Sequence, residues 1–186
     1  MPLTTLEPTA ALVVIDLQKG IVDRPTAHPV EPVIAHSAAL AAAFRKHGLP
    51  VVLVNVTGLA PGRTDAQRGA APRPAPAADW ADLVDELDVS DDDVRVTKER
   101  WGAFIGTTLH DQLAERGVTQ IVLTGVATSI GVESTARSAY DHGYHVVLVT
   151  DAMTDMSADA HDTSIGTVFP RLGETATTDE LLAVLS

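Results

Sequence analysis

The sequence predicts a three-layer α/β/α sandwich on a mainly parallel, Rossmann-like sheet. Three observations carry that prediction: short unbroken apolar runs recur along the chain, helix-like segments separate them, and glycines stop most of those helices. Continuous β-branched runs without polar alternation read as strands buried on both faces. Strands alternating with helices imply parallel βαβ units. Right-handed crossovers then place every strand's C-terminal end on one edge.

In chain order, Ala11-Leu12-Val13-Val14-Ile15 is the first predicted strand and runs into Asp16. An Ala-rich helix from Pro32 to His47 follows and stops at Gly48, a suitable C′ residue. Pro50-Val51-Val52-Leu53-Val54 is the second strand, ending at Asn55. Residues 57–79 break the rhythm with Gly, Pro, Ala and Arg, including Pro72, Pro74 and Pro76. A loop that long in a compact domain is expected to be a lid, an interface arm or disordered. The acid run Asp91-Asp92-Asp93 reads as a solvated turn before the third strand, Val94-Arg95-Val96-Thr97, which ends at Lys98. A helix from Gly106 to Arg116 leads to the fourth strand, Gln120-Ile121-Val122-Leu123-Thr124, and so to Gly125. Ser129 to His142 is helical, with Glu133 and Arg137 as an i,i+4 pair. His145 to Thr150 is the fifth strand, reaching Asp151. Thr178, as N-cap before Asp179 and Glu180, opens a last helix to Leu185.

The 186 residues fit one domain spanning 1–186. Hydrophobic residues make up 45% and aromatics only 4%, so the core is mainly Ala, Val, Leu and Ile. A net charge of -12 without clustered Lys and Arg argues against nucleic acid and against an anionic membrane surface. No apolar run reaches the roughly 18 residues of a membrane span. Met1 to Pro8 lacks the features of a secretory signal, and a cytoplasmic location is expected. Absence of cysteine excludes disulfides, thiolate metal sites and a thiol nucleophile. The seven histidines contain no HExxH pair, and no GxSxG elbow is present. Neither a metal nor a cofactor is expected.

Ligands of open parallel sheets bind beyond the carboxyl ends of the strands. That rule gathers Asp16, Lys98 and the segment Gly125 to Gly131 into one candidate site. A carboxylate and an ammonium at one edge could exchange protons or hold an anionic substrate. The helix opening near Ser129 would add backbone N–H groups suited to an oxyanion or carboxylate. Each residue also has a plain structural reading. The Asp can cap a turn, the Lys can be solvated, and the glycines can serve helix–strand packing. The glycines match neither GxxxxGK[ST] nor a good GxGxxG, so nucleotide binding is weakly supported.

Three motifs resemble the isochorismatase-like family, also called the cysteine hydrolase superfamily. They are Val14-Ile15-Asp16-Leu17-Gln18, Lys98-Glu99-Arg100-Trp101-Gly102-Ala103-Phe104, and Gly125 through Arg137. Gly143-Tyr144 and Thr150 through Asp155 continue the likeness, in order, over nearly the whole chain. The resemblance implies Asp16 as general acid/base and Lys98 as its charged partner and substrate binder. It also implies a cis peptide at Val126-Ala127, a substrate site including Gln18, Trp101, Phe104, Val126, Ala127, Thr128 and Ile130, and a homo-oligomer acting on a small molecule. Amidase members of that family place a nucleophilic cysteine where this chain has Gly131. Isochorismatases proper have glycine there and cleave a vinyl ether without a covalent intermediate. They carry Tyr-Ala-His just before that glycine, where this chain has Ala127-Thr128-Ser129, and this departure bears on whether isochorismate itself is the substrate. Three readings stay open: a cysteine-independent hydrolase of an enol ether or similar carboxylated metabolite, an inactive relative that binds a metabolite or serves in an oligomer, and an amidase with a substitute nucleophile.

Overall fold

The computed structural model describes residues 3–58, 60–69 and 75–186. One sheet contains β1 (Ala10–Ile15), β2 (Val51–Val56), β3 (Val94–Lys98), β4 (Gln120–Val126), β5 (His145–Thr154) and β6 (Glu174–Ala176). Their order is β3-β2-β1-β4-β5-β6, and every neighbouring pair is parallel. The chain builds outward from β1 to β3, then returns to β1's other side as β4. The order therefore reverses between β1 and β4, the place where open α/β sheets form a ligand crevice.

The helices are α1 (Lys19–Val22), α2 (Val30–Lys46), α3 (Leu109–Glu115), α4 (Glu133–Asp141), α5 (Ala158–Thr163) and α6 (Thr178–Val184). Strand alternation divides β1 between two cores. Ala10, Leu12 and Val14 pack in one cluster with Leu40 and Phe44 of α2 and Leu181 of α6. Ala11, Val13 and Ile15 pack in the other with Leu109 and Leu113 of α3 and Ala136 and Ala139 of α4. The layers are the three that the unbroken apolar runs predict. Among the described residues no helix is long and apolar enough to cross a membrane.

Several details differ from the sequence expectation. β5 runs four residues past Thr150, to Thr154, because Asp151 is a strand residue. Asp151 faces α6 instead, where Oδ1 accepts from the N–H and hydroxyl of Thr178 at 2.8 and 2.9 Å. The N-cap of α6 is Thr177, not Thr178, in a reciprocal capping box with Glu180. The helix expected from Ser129 begins as a π-helical turn over Thr128–Val132 before α4 proper. β6 is a three-residue strand, Glu-Thr-Ala, with no apolar run to mark it. Asp93 is not solvated: Arg45 of α2 donates to both its oxygens, Nε to Oδ1 at 3.0 Å and Nη2 to Oδ2 at 2.7 Å.

Pro72 and Pro74 of the 57–79 excursion lie outside the described residues. Just after the excursion, the chain is tied beside β1's exit. Gly20 N–H donates to Trp80 O at 3.0 Å, and Lys19 N–H donates to Asp82 O at 2.8 Å.

Candidate active site

β1 ends at Ile15, and Asp16 turns the chain with φ +51°, left-handed backbone that non-glycine residues rarely adopt. Its N–H donates to Val54 O of β2 at 2.9 Å. The neighbouring strand β4 approaches very closely here. A Cβ at Gly125 would stand 2.0 Å from Ile15 O, and its φ is +118°, so only glycine fits. The end of β4 is thereby brought hard against the end of β1, where Asp16 sits.

Lys98 closes β3, two strands away from β1, and its side chain spans β2 to reach Asp16. Nζ donates to Asp16 Oδ2 at 2.7 Å and to Arg100 O at 3.1 Å. Both residues are buried, Asp16 at 5% exposure and Lys98 at 2%. Asp16 Oδ1 is buried without a hydrogen-bond partner. Burial pushes the Asp16 carboxyl up from 3.8 to about 6, against the opposing charge and hydrogen bond of Lys98. The pair therefore holds an acid that changes state near neutral pH.

Gly131 completes the constellation. A Cβ built on it would lie 3.2 Å from Asp16 Oδ2 and 2.9 Å from Ile15 Cγ2. Position 131 thus faces the Asp16 carboxyl and carries no side chain. The Gly131 carbonyl accepts from Thr135 Oγ1 at 2.7 Å, and Thr135 Oγ1 accepts in turn from Ala103 N–H at 3.1 Å. The segment after Lys98 is tied to the Gly131 turn by that bridge.

The other expected site residues divide. Val126-Ala127 is a cis peptide, and both residues are buried. Trp101 is 56% exposed, and Ile130 is also exposed. Gln18 is fully buried and clamps backbone: Oε1 accepts from Val56 N–H at 2.7 Å, and Nε2 donates to Val56 O and Trp80 O at 3.0 and 3.1 Å. Those bonds hold the end of β2 and the Trp80 turn. Phe104 is buried in the second core with Tyr144, ring centroids 5.9 Å apart. Core packing is its role in the fold. Thr128 is buried with its hydroxyl 2.8 Å from His161 Nδ1.

The helix opening is not a free anion cradle. Ser129 N–H donates to Asp155 Oδ2 at 2.7 Å, while Ile130 and Val132 N–H both donate to Ala127 O at 3.1 Å. A carboxylate of the protein itself occupies the place expected for a ligand's. Asp155 and His161 are the residues that sequence reasoning missed as parts of this loop. The rule that strand ends carry the site would have found Asp155, had β5 been read to Thr154. Among the described residues no three His, Asp or Glu side chains converge as a metal-ligand group.

With this geometry in view, the comparisons with known proteins agree on one family. The profile of the isochorismatase domain matches residues 10–180. The chain is 46% identical over 180 residues to an isochorismatase family protein, YwoC, of Bacillus subtilis (strain 168), covering 92% of each. It is 32% identical over 180 residues to enterobactin synthase component B of Escherichia coli (strain K12), covering 93% of this chain and 62% of that protein. Among solved structures, an isochorismatase family protein from Burkholderia thailandensis superposes with a TM-score of 0.90 at 45% identity, covering 97% of both chains.

Proposed function

The chain belongs to the isochorismatase family of hydrolases, and from that premise we propose that it hydrolyses a small carboxylated enol ether directly, with no covalent intermediate. The observation that carries this reading is Gly131. It leaves the place beside Asp16 Oδ2 without a nucleophile, while the Asp16–Lys98 pair is retained at 2.7 Å.

The reaction class follows from what the pair can do. Asp16 in its acid form gives its proton to the methylene carbon of R–O–C(=CH2)–COO⁻. The double bond's electrons form the new C–H bond, leaving an oxocarbenium ion. Water adds to that cationic carbon and returns a proton to Asp16. The hemiketal then collapses to the alcohol R–OH and a 2-oxo acid. Lys98 neutralises the Asp16 carboxylate that forms and draws the substrate carboxylate towards the site. Near-complete burial of both side chains favours a slim reacting group such as a methylene.

Ser129 Oγ donates to Asp155 Oδ2 at 2.8 Å. With Thr128 buried against His161, neither hydroxyl beside Gly131 is free, which favours direct chemistry over a substitute nucleophile. A homo-oligomer belongs to the same proposal, with Trp101, Ile105 and Ile130 as exposed apolar surface for it. Sedimentation velocity tests that part.

The function is tested by assaying isochorismate and simpler enolpyruvyl ethers with wild type and Asp16→Asn. Release of a 2-oxo acid by wild type alone is expected. Equal rates in the two proteins would remove Asp16 from the mechanism. Thermal stabilisation by these compounds without turnover would favour a binding protein instead.

A further inference from the structure

The turn that carries Gly131 is held by groups outside the reacting pair. At the end of β5, the buried carboxylate of Asp155 accepts two bonds from Ser129 on Oδ2, from N–H at 2.7 Å and from Oγ at 2.8 Å. Its Oδ1 accepts from Met156 N–H at 2.7 Å and Ser157 N–H at 3.3 Å. One residue earlier in the turn, Thr128 Oγ1 meets His161 Nδ1 of α5 at 2.8 Å. The His161 ring lies against that of His28, centroids 4.9 Å apart, and His28 N–H donates to Thr154 Oγ1 at 3.3 Å. Two consecutive residues, 128 and 129, are thus anchored by two buried side chains, one just after β5 and one on α5. Two positions further on, Gly131 lies against the Asp16 carboxyl.

We propose that His161 is a positioning residue for the acid: through Thr128, beside the Asp155–Ser129 bonds, it seats the Gly131 backbone against Asp16 and keeps bulk water from its carboxyl. This rests on the reading of Asp16 as the proton donor. Burial is the largest cause of the raised Asp16 pKa, and the Gly131 turn is one wall of that burial. Burial, then His28, holds His161 below its ordinary pKa, with Asp162 and Asp155 opposing. A neutral imidazole at Nδ1 suits a hydrogen bond to a hydroxyl in a closed interior.

The clamp is tested without a substrate, by following the Asp16 carboxyl carbon through a pH titration by NMR. Wild type, His161→Leu, His161→Asn and Thr128→Val are compared. Asn places an amide near the position of Nδ1 and keeps the bond to Thr128, whereas Leu keeps bulk and loses the bond. Thr128→Val removes one hydroxyl at constant shape, and serves if His161→Leu does not fold. In wild type, Asp16 is expected to titrate near 6. In His161→Leu and Thr128→Val its proton affinity should fall about tenfold, a shift of one pKa unit, and in His161→Asn it should stay close to wild type. An unchanged Asp16 in Leu and Val, or equal changes in Leu and Asn, overturns the clamp alone. A wild-type Asp16 titrating near 3.8 instead overturns the acid reading on which the clamp rests.

Discussion

Lys98 Nζ lies 2.7 Å from Asp16 Oδ2, while Asp16 Oδ1 is buried with no hydrogen-bond partner. One oxygen is tied to a cation and the other is open to carry a proton. The acid form is the donor, so kcat/KM should fall as pH rises through about 6. Asp16→Asn should lower the rate by about 10²-fold or more, the usual worth of a positioned general acid. A profile flat from pH 5 to 8 would count against a proton held on Asp16.

Stability should carry the same signature. Folded Asp16 takes up its proton at about 6, against an ordinary 3.8. Between those values the folded state binds more protons, so stability falls as pH rises. The contribution is fully present below 3.8 and lost above about 6. Its size is on the order of 3 kcal/mol at 1.36 kcal/mol per pKa unit. His161 acts oppositely: its folded pKa lies below 6.5, so its contribution is present above 6.5 and declines as pH falls. Urea unfolding from pH 4 to 8 separates the two, because Asp16→Asn should remove the decline on the way up and leave the His161 trend.

Lys98→Met should push the Asp16 pKa above about 6, since the lysine's charge and hydrogen bond both lower it. The cost in stability should be small at pH 5, where Asp16 is protonated, and about 3–5 kcal/mol at pH 8, where a buried carboxylate is left unpaired. Equal losses at both pH values would mean that the lysine serves packing rather than charge.

The placement of the candidate site's residues was legible in the sequence wherever it followed from strand order. Asp16 and Lys98 terminate apolar runs, and the parallel sheet brings their strand ends to one edge. What escaped depended on boundaries or partners. Asp151 looked like the end of β5 because a charge usually closes a buried run, yet that side chain leaves the strand towards α6. The error of four residues hid Asp155. Gln18 and Phe104 lie in motifs beside the pair, but one clamps the Val56 backbone and the other packs on Tyr144. Neighbourhood in sequence does not say which way a side chain faces. Asp93 sits in an acid run whose members diverge, two exposed and one paired with Arg45.

The Arg45–Asp93 pair lies far from the Asp16–Lys98 pair. The Asp93 side chain is 2% exposed and accepts two bonds from Arg45 and one from Ser90 N–H at 2.8 Å. Arg45→Met keeps the aliphatic stem but leaves that buried carboxylate with no cation and only the Ser90 N–H bond, and should cost about 3–5 kcal/mol. Activity per folded molecule should be unchanged, because Arg45 lies on α2 near the N-terminal ends of the strands. Chemical denaturation checks the first value and an active-fraction assay the second.

Gly131 is the position where fold and chemistry conflict most directly. A Cβ there would stand 2.9 Å from Ile15 Cγ2 and 3.2 Å from Asp16 Oδ2. Ile15 is fully buried and β-branched, so it has little freedom to withdraw. Gly131→Ala should therefore cost about 1–3 kcal/mol by overpacking, and should disturb the oxygen that Lys98 holds. Gly131→Cys meets the same steric cost but brings a thiol to the Asp16–Lys98 pair, whose cation favours the thiolate. Turnover of small primary amides should appear in the Cys variant and be absent from both wild type and Gly131→Ala. Amide hydrolysis by wild type at the rate of the Cys variant would show that a nucleophile other than residue 131 is at work, and that direct protonation is not this protein's chemistry.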